Sequence, residues 1–275
     1  MKRKITMPRP GSPSDGVTAG TADPAAAEAA GLGARLVAVR DRILAACARA
    51  GRAPQDVRVV AVSKTFPAGA VRAALAAGQH VFGENYVQEA VEKITALTAS
   101  ASAPIEWHFI GPLQSNKTRQ VAEHFDWVHT VDRLKIAQRL SEQRPAHLPA
   151  LNICLQVNVS GEASKSGVMP AEALALARAI AALPRLKLRG LMSIPEPVAD
   201  MDAPERAVQR LAAQRAPHRA LRFLFDRLNR SGQALDTPLD TLSMGMSADL
   251  EAAILEGATM VRIGSAIFGE RNYPT

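Results

Sequence analysis

The sequence predicts an α/β protein, a single (β/α)8 barrel with a leading helix, and three observations predict it. Short, mostly β-branched runs alternate with helical patterns eight times. That alternation argues for parallel strands joined by right-handed crossovers, and eight is the number that closes a barrel. The strands are apolar on consecutive residues, as suits strands covered on both faces. Their C-terminal tips carry polar or small residues, and barrels of this kind carry their sites on that face. A doubly wound open sheet is the structural alternative. No GxGxxG follows the first strand, and no glycine-rich loop ends in GK[ST], which argues against dinucleotide and nucleoside triphosphate sites.

Residues 1–32 carry Lys2, Arg3 and Lys4, then Pro, Gly, Ser, Thr and Ala without apolar periodicity, and a disordered tail is expected there. Pro8, Pro10, Gly11 and Pro13 stand where a secretory signal would have its apolar stretch. The barrel domain is expected over 33–275. Leu36, Val39, Ile43, Leu44 and Cys47 recur at helical spacing over 34–50, ahead of the first strand, Val57 to Lys64. A helix over 67–78 has proline at its start and glycine at its end. Strands follow at 80–85, 105–110, 127–130, 151–159, 186–194, 240–244 and 260–263. The intervening helices are expected at 87–97, 116–124, 133–143, 171–183, 204–229 (broken at Pro217) and 248–256.

The chain of 275 residues fits one barrel, which commonly takes roughly 250. Nearly half of it is apolar, yet no uninterrupted apolar run is long enough to cross a bilayer. Cys47 and Cys154 lie apart in apolar stretches, and they read as core residues of a reduced cytoplasmic protein rather than a disulfide or zinc site. The net charge of +7 is spread over arginines that mostly neighbour acids, and aromatics are few, so nucleic acid is not an expected partner. Trp107 and Trp127 are expected to pack.

In a barrel the strand tips would bring Lys64, Asn85, Gly111, Thr130, Asn158, Met192, Ser193, Ser243, Gly245, Gly264 and Ser265 to one face. Phosphate sites commonly form from the loops after the last two strands. Gly264 lets the backbone approach an anion, and the hydroxyls of Ser243, Ser247 and Ser265 can donate to it. Ordinary turn chemistry accounts for each of these residues alone. A lysine on the first strand facing a phosphate cradle on the last two is what a phosphorylated aldehyde wants, pyridoxal phosphate above all.

The segments Val62-Ser-Lys-Thr65, Phe82-Gly-Glu-Asn-Tyr-Val-Gln-Glu89, Trp107 to Lys117, Gly161 to Gly167, Gly190-Leu-Met-Ser193, Leu242 to Asp249 and Val261 to Gly269 carry a resemblance. In this order they resemble the pyridoxal phosphate homeostasis protein family, over nearly everything after residue 33. The resemblance implies a single TIM barrel like the N-terminal domain of alanine racemase, with pyridoxal 5'-phosphate held as an imine (internal aldimine) on Lys64. It maps phosphate contacts onto Ser243, Gly245, Gly264 and Ser265, sets Arg262 near the cofactor, facing either phosphate or ring nitrogen, and places Asn85 and Met192 along it. Ser193 is grouped with them at the tip of strand six.

The racemase-like fold makes an amino-acid racemase or decarboxylase the alternative, which fold alone does not license. Such enzymes bring a second acid or base on a further domain, for which the chain to Thr275 leaves no residues. A cofactor carrier that buffers or delivers pyridoxal phosphate to apo-enzymes is therefore expected, without turnover, cytoplasmic and monomeric. Lys165, in the polar loop after strand five, is a candidate for transient capture of the aldehyde, against the plainer reading of a solvated lysine.

Overall fold

The computed structural model describes residues 24–98, 103–162, 165–198, 206–230, 235 and 237–270. Its eight strands are β1 (Arg58–Val62), β2 (Val81–Glu84), β3 (Glu106–Phe109), β4 (Trp127–Val131), β5 (Leu151–Gln156), β6 (Leu186–Met192), β7 (Thr241–Ser243) and β8 (Met260–Ile263). Every neighbouring pair is parallel, and β8 pairs back onto β1 with Val60 beside Arg262, so the barrel closes in strand order. The helices are α1 (Pro24–Ala50), α2 (Ala68–Ala76), α3 (Val87–Thr98), α4 (Thr118–His124), α5 (Leu134–Gln143), α6 (Ala173–Ala181), α7 (Ala207–Arg230), α8 (Leu250–Leu255) and α9 (Ser265–Phe268).

Most boundaries fall within three residues of expectation, and two departures are larger. α1 starts at Pro24, inside the stretch expected as tail, because an alanine-rich run with proline at the first position extends the helix and Leu32 joins the buried face of Leu36, Val39 and Ile43. The rest of that tail, 1–23, lies outside the described residues. α7 runs unbroken through Pro217. Proline in a helix interior costs about 3 kcal/mol. Contacts on both sides of it hold the helix: Arg215 pairs with Glu256 at 2.6 Å, His218 bonds Asp249 at 2.9 Å, and Leu221, Leu224 and Leu228 are buried.

Strand alternation sorts the core in two. A large cluster fills the space between sheet and helices, with Ala61, Phe82, Phe109, Val128, Leu191 and Val261 facing outward. A small one, Val60, Trp127, Cys154, Met192 and Met260, fills the barrel. Polar side chains share that interior: His108, His129, Ser243 and Arg262 are all buried.

Candidate functional site

A cavity of about 340 Å3 opens at the C-terminal mouth of the barrel, lined by Lys64 and Asn85 on one side and by Met246, Ser247, Ala248, Arg262, Gly264 and Ser265 on the other. Val62, Ile110 and Ile194 complete its wall. Lys64 is half-buried, two residues beyond the end of β1. Gly264 caps α9, its carbonyl accepting the Ile267 and Phe268 amides at 2.9 Å.

Arg262 is the fixed charge of the site. It is 4% exposed, and burial draws its pKa down to about 10, so it remains a guanidinium at neutral pH. Nη1 donates to Ser243 Oγ at 2.7 Å and Nη2 to the Ser193 carbonyl at 2.9 Å. Both acceptors are neutral. Among the described residues no carboxylate hydrogen-bonds it, although the Asp249 charge acts on it through space, and such a cation at a cavity wall favours an anion or a lone pair in that cavity.

Behind Ser243 runs a chain of hydrogen bonds: His129 Nδ1 at 2.8 Å from Ser243 Oγ, His129 Nε2 at 2.8 Å from His108 Nδ1, and His108 Nε2 at 2.6 Å from Glu106 Oε1. Burial pushes the pKa of both imidazoles down, that of His129 well below its ordinary value, so both are neutral. Burial alone would raise the Glu106 carboxyl, but His108 and Arg58 outweigh it and hold it at about 2, ionised. One set of tautomers then satisfies every link. Arg262 donates to Ser243, the Ser243 hydroxyl to His129, His129 Nε2–H to His108, and His108 Nε2–H to Glu106. The Ser243 proton therefore points into the barrel, and its oxygen serves Arg262.

Of the residues expected from sequence, Lys64, Asn85, Arg262, Gly264 and Ser265 meet around the cavity. Ser193 and Ser243 stand one layer behind, holding Arg262. Gly245, at φ +92, shapes the turn after β7, where a side chain would meet Ala253 Cβ at 2.5 Å. Met192 is wholly buried in the inner cluster beneath the mouth rather than along the cavity. Thr130, inside β4, donates to the Gly111 carbonyl after β3, and Asn158 donates to the Glu162 carbonyl of its own loop. Lys165 pairs with Glu196 at 2.9 Å. The histidine chain was not anticipated. Its signal was two buried-strand histidines two residues from Glu106 and from Trp127, on inward-facing positions.

Four buried polar atoms have no hydrogen-bond partner among the described residues, Glu84 Oε2, Asn85 Oδ1, Ser193 Oγ and His218 Nδ1; of these residues Asn85 lines the cavity and Ser193 stands just behind it. Such atoms are rare in native interiors and suit a polar ligand. With the cationic wall and the primary amine they fit a phosphorylated aldehyde carrying a polar ring.

Residues 35–272 match the family described as alanine racemase, N-terminal domain. A relative from Pseudomonas aeruginosa named pyridoxal phosphate homeostasis protein is 61% identical over 235 residues, covering 86% of this chain and 94% of that one. The structure of PipY from Synechococcus elongatus with PLP bound superposes at a TM-score of 0.71 and 36% identity, over 86% of this chain and all of that one. An alanine racemase from Clostridium difficile shares the fold alone, at 16% identity and a TM-score of 0.57, over 80% of this chain and 53% of that one.

Proposed function

We propose that this chain, which belongs to the alanine racemase N-terminal domain family and within it to the pyridoxal phosphate homeostasis proteins, binds pyridoxal 5'-phosphate at the barrel mouth and attaches it through Lys64. The observation that supports this most is one cavity lined by both Lys64 and the Arg262 guanidinium, whose hydrogen bonds go to neutral acceptors. When bound, the cofactor supplies an electrophilic aldehyde. Lys64 offers the nucleophile, which must first lose its proton. Gly264 and Ser265 at the rim offer backbone amides and a hydroxyl to the phosphate, and Arg262 a fixed positive charge below them.

The protein then holds the cofactor, limits its free aldehyde and releases it to apo-enzymes. Racemase or decarboxylase chemistry rests on a likeness that carries fold alone, so incubation with amino acids in heavy water should exchange no α-hydrogen. The buried free thiols Cys47 and Cys154 suit a reducing cytoplasm, and we take the working unit to be a monomer, to be checked by sedimentation.

Borohydride reduction of protein incubated with pyridoxal phosphate, followed by peptide mass mapping, tests the assignment. A pyridoxyl adduct on the peptide containing Lys64, absent from Lys64→Ala, is expected. No adduct at saturating cofactor would overturn it.

A further inference from the structure

Lys93 is 6% exposed, on the inner face of α3, where apolar residues Ala90, Ile94 and Leu97 do the packing. A methionine or leucine would serve such a face at least as well, because a buried ion pair seldom stabilises more than apolar residues of the same volume. Its contacts give the lysine another meaning. Nζ donates to the Ser63 carbonyl at 2.7 Å and to Glu84 Oε1 at 2.7 Å, and lies 2.6 Å from Glu89 Oε1, so three donors meet three acceptors. Glu89 Oε1 in turn accepts the backbone N–H of Thr65 at 2.7 Å, and Glu84 Oε1 accepts the Ser63 hydroxyl at 2.7 Å. Ser63 and Thr65 are the two neighbours of Lys64. Thr65 also sits at φ +68, a left-handed conformation that a threonine keeps only when its surroundings hold it.

We propose that Lys93, bridged to Glu84 and Glu89, is a positioning residue that clamps the chain on both sides of Lys64 and so fixes the direction in which the cofactor-binding amine leaves the backbone. The inference rests on the function proposed for Lys64. A lysine side chain has four rotatable bonds, so aiming its amine begins with a fixed Cα–Cβ vector. The clamp supplies that vector from behind, with no charge placed in the cavity.

The test compares Glu89→Ala, Glu89→Gln and Lys93→Met with the unmodified chain. Two quantities are read: the rate of borohydride-trapped adduct formation on Lys64, and the rate of acetylation of Lys64 in cofactor-free protein. Glu89→Ala removes the acceptor for Thr65 and should slow adduct formation about tenfold, since small misplacements of a reacting group cost that much or more. Acetylation of Lys64 should rise as the loosened residue reaches solvent. Glu89→Gln retains an acceptor oxygen and should recover most of the adduct rate, a rescue that a purely structural role for the charge would not give. Should Lys93→Met fail to fold, the Glu89 pair decides the matter, because that side chain is 31% exposed and at the edge of the cluster. Adduct formation and acetylation both unchanged in folded Glu89→Ala would overturn the clamp. Absence of any adduct in the unmodified chain would instead overturn the function assigned to Lys64.

Discussion

Two cations reach the barrel mouth, and the protein holds them by opposite means. Around Lys64 the charges lie behind the backbone: Lys93, Glu84 and Glu89 grip the flanking Ser63 and Thr65. Around Arg262 the hydrogen bonds among the described residues are made to the charged group itself, by a hydroxyl and a carbonyl, with Asp249 acting on it through space. The nearest carboxylate on that chain of hydrogen bonds, Glu106, stands at the far end of it, beyond two neutral imidazoles. The difference teaches how a site keeps its charge for a ligand. A carboxylate beside Arg262 would compete with any anion entering the cavity, whereas neutral acceptors fix the guanidinium without neutralising it.

The largest expected effect falls on the Lys64 side, where Lys64→Ala should abolish the covalent adduct while leaving reversible binding of pyridoxal phosphate detectable by dialysis. On the other side, Arg262→Met removes a charge-assisted contact typically worth about 1.5–3 kcal/mol, so cofactor affinity should fall roughly ten- to a hundredfold. Unchanged affinity in equilibrium dialysis would mean that Arg262 is not the counter-charge, and the comparison would collapse.

A smaller effect tests the neutral chain. Burial pushes the His129 pKa down, so below its unfolded value of about 6.5 the unfolded chain takes up a proton that the folded barrel refuses. The stability linked to this group is full above that pH and is lost as the pH falls. Glu84 and Asp126, both raised by burial, contribute slopes of the opposite sign, so a difference between variants is the clean measure. His129→Asn should flatten the acid side of the stability profile, by roughly half of 1.4 kcal/mol per pH unit at pH 6.5 and approaching the full value, the effect of one proton, near pH 5, as read from denaturant midpoints at about half-unit steps. Parallel profiles would show that His129 binds the same protons folded as unfolded and would overturn its neutral place in the chain.

The smallest effect is expected outside both regions. Lys165 and Glu196 form an exposed pair on the loops after β5 and β6, and such pairs are screened by water. Lys165→Ala should leave both the unfolding midpoint and adduct formation at Lys64 unchanged. A slower transfer of cofactor to an apo-enzyme in that variant would single out a role in release.

Much of the fold was legible because strand and helix periods are local. Val57 to Lys64 reads as a buried strand whatever surrounds it, and glycine or proline marks most helix ends. Pro217 misled for the same reason: its cost is local, while the Glu256, Asp249 and core contacts that offset it are supplied by α8 and the sheet. Met192 illustrates a finer limit. Its place at a strand tip is readable, but whether a tip residue faces the cavity or the packed interior depends on tilt and stagger of the closed barrel.

The sequence by itself determined the alternation that closes eight strands and the identity of the groups at their tips, Lys64, Arg262, Gly264 and Ser265 among them, because both follow from residues close together in the chain. Only the tertiary structure decided which of those groups meet and which stand behind them. Ser243 turning its proton to His129, Arg262 hydrogen-bonded by neutral groups, and Lys93 reaching Ser63 across 30 positions all depend on closure of the sheet. Closure brings distant side chains within hydrogen-bond distance, and in a buried space most polar atoms find their partners there.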